Sequence, residues 1–225
     1  MKRNLASLTA LTLFCALTAC SGVADQSAPG PFPSDQKEPL SENGTSSTPD
    51  EREPAAAAEP RVLVAYFSAT GNTEHIARHI QTVLNADLYE IIPEEPYTDD
   101  DLHYSDDNCR ANREQNDPDA RPAITGTLEH PENYDAVFLG YPIWWGQAPK
   151  VVYTFLESYT FEDATIVPFC TSGSSGIGGS LEDLQALAPN ARWLDGQRFS
   201  GGASESDVAS WVEGLELLPG ADEGT

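Results

Sequence analysis

Ser68-Ala-Thr-Gly-Asn-Thr73 stands between two segments of different periodicity. Ahead of it, Arg61-Val-Leu-Val-Ala-Tyr-Phe67 is short, apolar and β-branched, which reads as a buried strand. Behind it, Glu74 to Asn85 puts Ile76, Ile80, Val83 and Leu84 on one helical face. Strand, hydroxyl-rich turn and helix together make an anion site. The free amides of the turn and first helical turn converge, and the helix dipole favours negative charge there. Ser68, Thr70 and Thr73 add hydroxyl donors, and Gly71 permits a tight or left-handed backbone. Lacking a Lys, the loop is not the one that grips a nucleoside triphosphate with magnesium. With one Gly, it is not the three-glycine dinucleotide fingerprint. Neutral donors alone suit a monophosphate ester. The same residues also make an ordinary N-capped helix start, so the rest of the chain has to decide.

Working outward, a second strand is expected at Asp87 to Ile92. Pro93 to Pro131 is polar, acidic and irregular, with a short helix expected at Asn108 to Gln115. Its aspartates lack the spacing of a calcium-binding hand and read as a solvated surface. Tyr134 to Gly140 is a buried strand, and Ala148 to Tyr159 a helix through Val151, Val152, Phe155 and Leu156. Thr165 to Cys170 is the next strand, and Leu181 to Leu187 a helix stopped by Pro189. Arg192 to Leu194 and Gln197 to Phe199 read as strand pieces, and Ser204 to Leu217 as a last helix. Alternating strands and helices predict an α/β fold, a parallel sheet covered on both faces.

In such sheets ligands bind beyond the carboxyl ends of the strands. Three connections would open there. The first is the Ser68 turn; the second is Tyr141-Pro-Ile-Trp-Trp-Gly146; the third is Thr171-Ser-Gly-Ser-Ser-Gly-Ile-Gly-Gly-Ser180. Adjacent tryptophans in a connection offer a stacking plate for a flat ring, with one of them free to pack inward. A Gly/Ser-rich loop lets backbone amides approach a ligand edge. Phosphate donors, an aromatic plate and edge donors together describe flavin mononucleotide (FMN). Through Tyr66 to Thr73, Gly140 to Gly146 and Phe169 to Gly176 the chain resembles the flavodoxin family.

That resemblance implies a doubly wound, five-stranded parallel sheet in order 2-1-3-4-5. It implies that Ser68, Ala69, Thr70, Gly71, Asn72 and Thr73 hold the FMN phosphate. Pro142, Ile143, Trp144, Trp145 and Gly146 would flank the ring, with Gly146 able to reorient a peptide toward it. Thr171, Ser172, Gly173, Ser175 and Gly178 would meet the ring's polar edge. Pro93 to Pro131 departs from the pattern, standing where a compact second helix is expected.

Other chemistry is less well supported. Gly173-Ser-Ser-Gly-Ile lacks the second glycine of a nucleophile elbow. His75 and His79 have a zinc-compatible spacing without an intervening Glu, and read as half-exposed surface. Cys109 and Cys170 can pair outside a cell or stay packed as thiols.

The amino terminus has Lys2 and Arg3, an apolar run from Leu5 to Leu17, and Leu17-Thr-Ala-Cys20. It resembles a bacterial lipoprotein signal, so residues 1–19 are expected to be removed and Cys20 lipidated. Residues 20–60 are rich in Pro, Ser, Ala and acidic side chains and read as a disordered tether. The domain is expected over 61–219, with 220–225 a disordered tail. These readings imply export, with attachment through a lipid anchor only on the extracytoplasmic side of the bacterial cell membrane.

The formal charge of −24 speaks against nucleic acid and favours a protein redox partner with a basic docking surface. It also opposes placing electrons on a flavin. Three functions follow: an FMN electron-transfer protein, an NAD(P)H-dependent FMN reductase of quinones or other small acceptors, or a tethered interaction module without cofactor. The first is favoured, because no second nucleotide fingerprint or arginine cluster is present for a nicotinamide dinucleotide.

Overall fold

A computed structural model describes residues 60–215 and residue 217. The expected leader, Cys20, most of the tether and the 220–225 tail lie outside the described residues. The first strand, β1 (Val62–Tyr66), is wholly buried and leads through the Ser68 turn into α1 (Asn72–Leu84). Strand β2 (Asp87–Glu90) pairs parallel with β1. It ends before the expected Ile92: Ile92–Pro93 (β3) turns away and pairs antiparallel with Ile124–Thr125 (β4). Between them lies α2 (Arg110–Asn116), N-capped by Cys109, whose sulfur accepts from the Asn112 amide.

The chain re-enters the sheet at β5 (Ala136–Pro142), then α3 (Lys150–Ser158), β6 (Thr165–Thr171) and α4 (Gly178–Leu187). Two short strands follow, β7 (Arg192–Trp193) and β8 (Gln197–Phe199), before α5 (Glu205–Glu213). The sheet order is β2-β1-β5-β6-β7, with β8 also beside β6 and every pair parallel. This is the flavodoxin-like 2-1-3-4-5 arrangement with its fifth strand broken in two. The break lies opposite Val167 and Pro168 of β6, and Pro168 has no N–H to give to a ladder.

Alternation along the strands divides the core. Leu63, Ala65, Val137, Leu139 and Ile166 pack with Val151, Val152, Phe155 and Leu184 of α3 and α4. Val62, Val64, Tyr66, Phe138 and Phe169 pack with Ile76, Ile80, Val208 and Val212 of α1 and α5. The last helix is shorter than the expected Ser204 to Leu217. Ser204 and Asp207 form a capping box at its start, and Gly214 closes it. The sheet therefore delivers the turns after β1, β5, β6 and β8 to one edge.

Candidate functional site

A cavity of about 590 Å³ lies at that edge. Ser68, Ala69, Thr70, Asn72 and Thr73 line it from the first turn, and Pro142, Ile143, Trp144 and Trp145 from the second. Thr171, Ser172 and Gly173 line it from the third. Gly71, Gly146, Ser175 and Gly178 do not line it. Gly71 and Gly146 shape their turns, both at φ +81°, a conformation L side chains rarely adopt. Ser175 accepts the Ser172 hydroxyl through its carbonyl, and Gly178 opens α4.

The first turn has donors to spare. No side chain caps α1, so its leading amides keep their partial positive charge. The Ser68 hydroxyl is buried with no partner among the described residues. Asn72 Nδ2 donates to Thr70 Oγ1 at 3.2 Å, leaving the Thr70 proton free to be given elsewhere. Thr73 is 1% exposed and its hydroxyl lies 2.8 Å from that of Thr171, joining the first and third turns. Burying a donor without a partner is costly, so the free Ser68 hydroxyl marks a place for an acceptor.

The two tryptophans separate. Trp144 is buried at 5% exposure, its ring edge-on to Phe67, Tyr97 and Tyr104 at centroid distances of 5.6, 5.1 and 6.1 Å. Trp145 is 66% exposed. Trp144 and Gln147 exchange backbone hydrogen bonds of 2.9 and 3.0 Å around Trp145 and Gly146, whose φ angles are +53° and +81°. Two positive φ values inside such a pair define a primed reverse turn, which Gly at the second central position favours. The third turn is braced by Arg198 of β8, which donates to the carbonyls of Ser172 (2.8 Å) and Gly173 (3.4 Å).

Tyr104, Ser200 and Gly201 also line the cavity and escape sequence reasoning. Ser200-Gly-Gly follows a strand piece at the binding edge, so the rule used for the other loops could have found it. Gly201 is needed for close approach: a Cβ there would come within 2.4 Å of Asn72 Oδ1. Tyr104 lies in the aperiodic 93–131 segment and gave no signal. Burial pushes its hydroxyl above the ordinary tyrosine range, so it is a neutral wall at physiological pH.

The remaining candidates lie away from the cavity lining. Cys109 and Cys170 are both buried free thiols, and burial pushes Cys170 up to about 12. His75 and His79 approach through their Nε2 atoms at 3.2 Å on the outward face of α1. No cluster of three or more metal-ligating side chains occurs among the described residues.

A parallel sheet in this order, with a cavity over its carboxyl edge, defines the flavodoxin-like class. The chain belongs to the flavodoxin family, whose pattern matches residues 61–215. It is 41% identical to a protein of Bacteroides eggerthii assigned as a flavoprotein, over 68% of this chain and 96% of that one, with a TM-score of 0.65. A similarly assigned protein of Bacteroides uniformis is 39% identical over 68% and 98%, with a TM-score of 0.66. A Lactobacillus acidophilus flavoprotein, crystallised in complex with FMN, is 22% identical over 68% and 99%, with a TM-score of 0.53. A comparison with curated proteins found no match.

Proposed function

We propose that this domain binds FMN and carries electrons. The observation that carries the reading is a single cavity containing the unpartnered Ser68 hydroxyl, the uncapped start of α1 and the exposed Trp145 ring. Its volume of about 590 Å³ lies within the usual range for a small-molecule site. Ser68, Thr70 and the amides of Asn72 and Thr73 would hold the phosphate. Trp145 would cover a flat ring, and the amide of Gly173 would meet its edge, the Ser172 amide being held by the Phe199 carbonyl at 3.2 Å. When bound, FMN supplies reversible electron uptake; the chain supplies position, exclusion of water and a negative field. The FMN-bound Lactobacillus relative supports the choice of ligand by analogy.

The test is titration of the full chain with FMN, followed by flavin fluorescence. Saturable quenching is expected, because Trp145 stacks on the ring; unchanged fluorescence together with no bound flavin after gel filtration would reject the reading. NADH or NADPH alone should reduce the loaded protein slowly, and rapid stoichiometric bleaching would make it a reductase instead. We also propose that the protein is exported and anchored through a lipid on Cys20. Cys20→Ala should release the protein from membranes. The acidic charge suits a basic protein partner, whose encounter rate should fall as salt rises.

A further inference from the structure

The irregular segment ahead of β5 makes an unusual set of bonds to the tryptophan turn. Asn112 of α2 is 3% exposed and every polar group of its side chain is used. Its Oδ1 accepts from Trp145 Nε1 at 2.6 Å. Its Nδ2 donates to the carbonyls of Tyr104 (3.0 Å) and Asp106 (2.8 Å). One turn further along α2, Gln115 Nε2 donates to the carbonyls of Trp144 (3.1 Å) and Ala148 (3.3 Å). Trp145 has little packing of its own at 66% exposure, and a bare exposed indole samples several rotamers. A hydrogen bond from its only polar atom to a buried, fully engaged amide removes that freedom.

We infer that Asn112 is the positioning residue of the cavity's aromatic wall. It fixes the Trp145 ring by accepting from the indole and fixes the Tyr104 backbone by donating to it. The 93–131 segment is thereby part of the site rather than a surface insertion. The amide is required in both senses. A carboxylate at 112 can still accept from Trp145 but faces two carbonyls with no donor; an aliphatic side chain can do neither. Ordering a ring before binding spares the ligand that entropy cost, so Asn112 raises affinity without touching the ligand. That last step rests on the FMN reading; the ordering of Trp145 does not.

The test is a double-mutant cycle in the full chain with Asn112→Ala and Trp145→Phe, each checked for folding by circular dichroism. Two readouts are taken. The first, without flavin, is the fluorescence anisotropy of the Trp145 component, obtained by difference from Trp145→Phe. It should fall in Asn112→Ala, and an unchanged value would overturn the inference. The second is the FMN dissociation constant. Asn112→Ala should weaken binding roughly three- to ten-fold in the Trp145 background. It should have less than about a two-fold effect once Trp145 is Phe. Equal losses in both backgrounds would mean that Asn112 acts elsewhere. If Asn112→Ala fails to fold, Asn112→Leu, which fills a similar volume and offers no acceptor, takes its place in the same cycle. Failure of wild type to bind FMN would reject the proposed function while leaving the anisotropy result to decide this one.

Discussion

The first turn, Ser68 to Thr73, and the tryptophan turn, Trp144 to Gln147, each place a glycine at φ +81°, yet their polar groups are used differently. The first leaves polar groups unspent: the Ser68 hydroxyl has no partner and α1 has no side-chain cap. In the second, the polar atoms beside the exposed ring are met from a distance, the Trp145 indole by Asn112 and the Trp144 carbonyl by Gln115, while Gln147 Oε1 at the far end of the turn is buried without a partner among the described residues. A turn that grips an anion must keep donors free. A turn that presents an apolar plate needs the polar atoms beside that plate held by something else. The difference explains why a short helix from an irregular segment is packed beside the site.

The sharpest contrast to break lies within the tryptophan turn itself. Trp144→Ala should destabilise the fold by roughly 3–5 kcal/mol, the usual cost of emptying a buried aromatic site. Trp145→Ala loses little packing and only the indole hydrogen bond to Asn112, and should cost about 0.5–1.5 kcal/mol. Urea unfolding of the two variants checks this, and similar losses would erase the distinction between wall and plate. Next in size is Thr73→Val, which strands the buried Thr171 hydroxyl and should cost about 1–3 kcal/mol in the same assay.

Smaller effects sharpen the comparison. Gly71→Ala and Gly146→Ala meet no atom within 4 Å of the new Cβ, so only the backbone resists. Each should cost about 1–2 kcal/mol, by the same mechanism and to the same extent, in thermal unfolding. The last effect is a decline of stability seen only in alkaline solution. Burial raises Cys170 from 9.0 to about 12, and burial followed by nearby Glu90 raises Tyr66 from 10.0 to about 12. Both groups are neutral when folded and ionise at lower pH when unfolded. Their contribution is whole below about pH 9 and is lost as pH rises toward 12. Cys170→Ser should therefore flatten the decline of stability with pH over that window.

The strand, turn and helix around Ser68 to Thr73 were legible because they are contiguous, and period-2 and period-3.6 patterns flank the turn. The broken fifth strand was legible as two pieces for the same reason. The bonds from Asn112 and Gln115 to the tryptophan turn and Ala148 were not legible, since they join residues 29 or 33 positions apart through side chains with no periodic signature. Tyr104 was missed likewise. The overlong reading of the last helix has a different cause: Leu215 and Leu217 continue the apolar pattern, but Gly214 closes the helix first. The split between Trp144 and Trp145 was foreseen in kind, while which ring turns inward depended on Phe67, Tyr97 and Tyr104 being there to receive it.

The central claim is that the donors around Ser68 are kept free for a phosphate. Comparing FMN with riboflavin tests it, because the two share the ring and differ in that group alone. Two charge-assisted hydrogen bonds to the phosphate should make FMN bind at least about a hundred-fold more tightly, measured by titration calorimetry on the full chain. Equal affinities would contradict the account, since the Ser68 turn would then hold no phosphate.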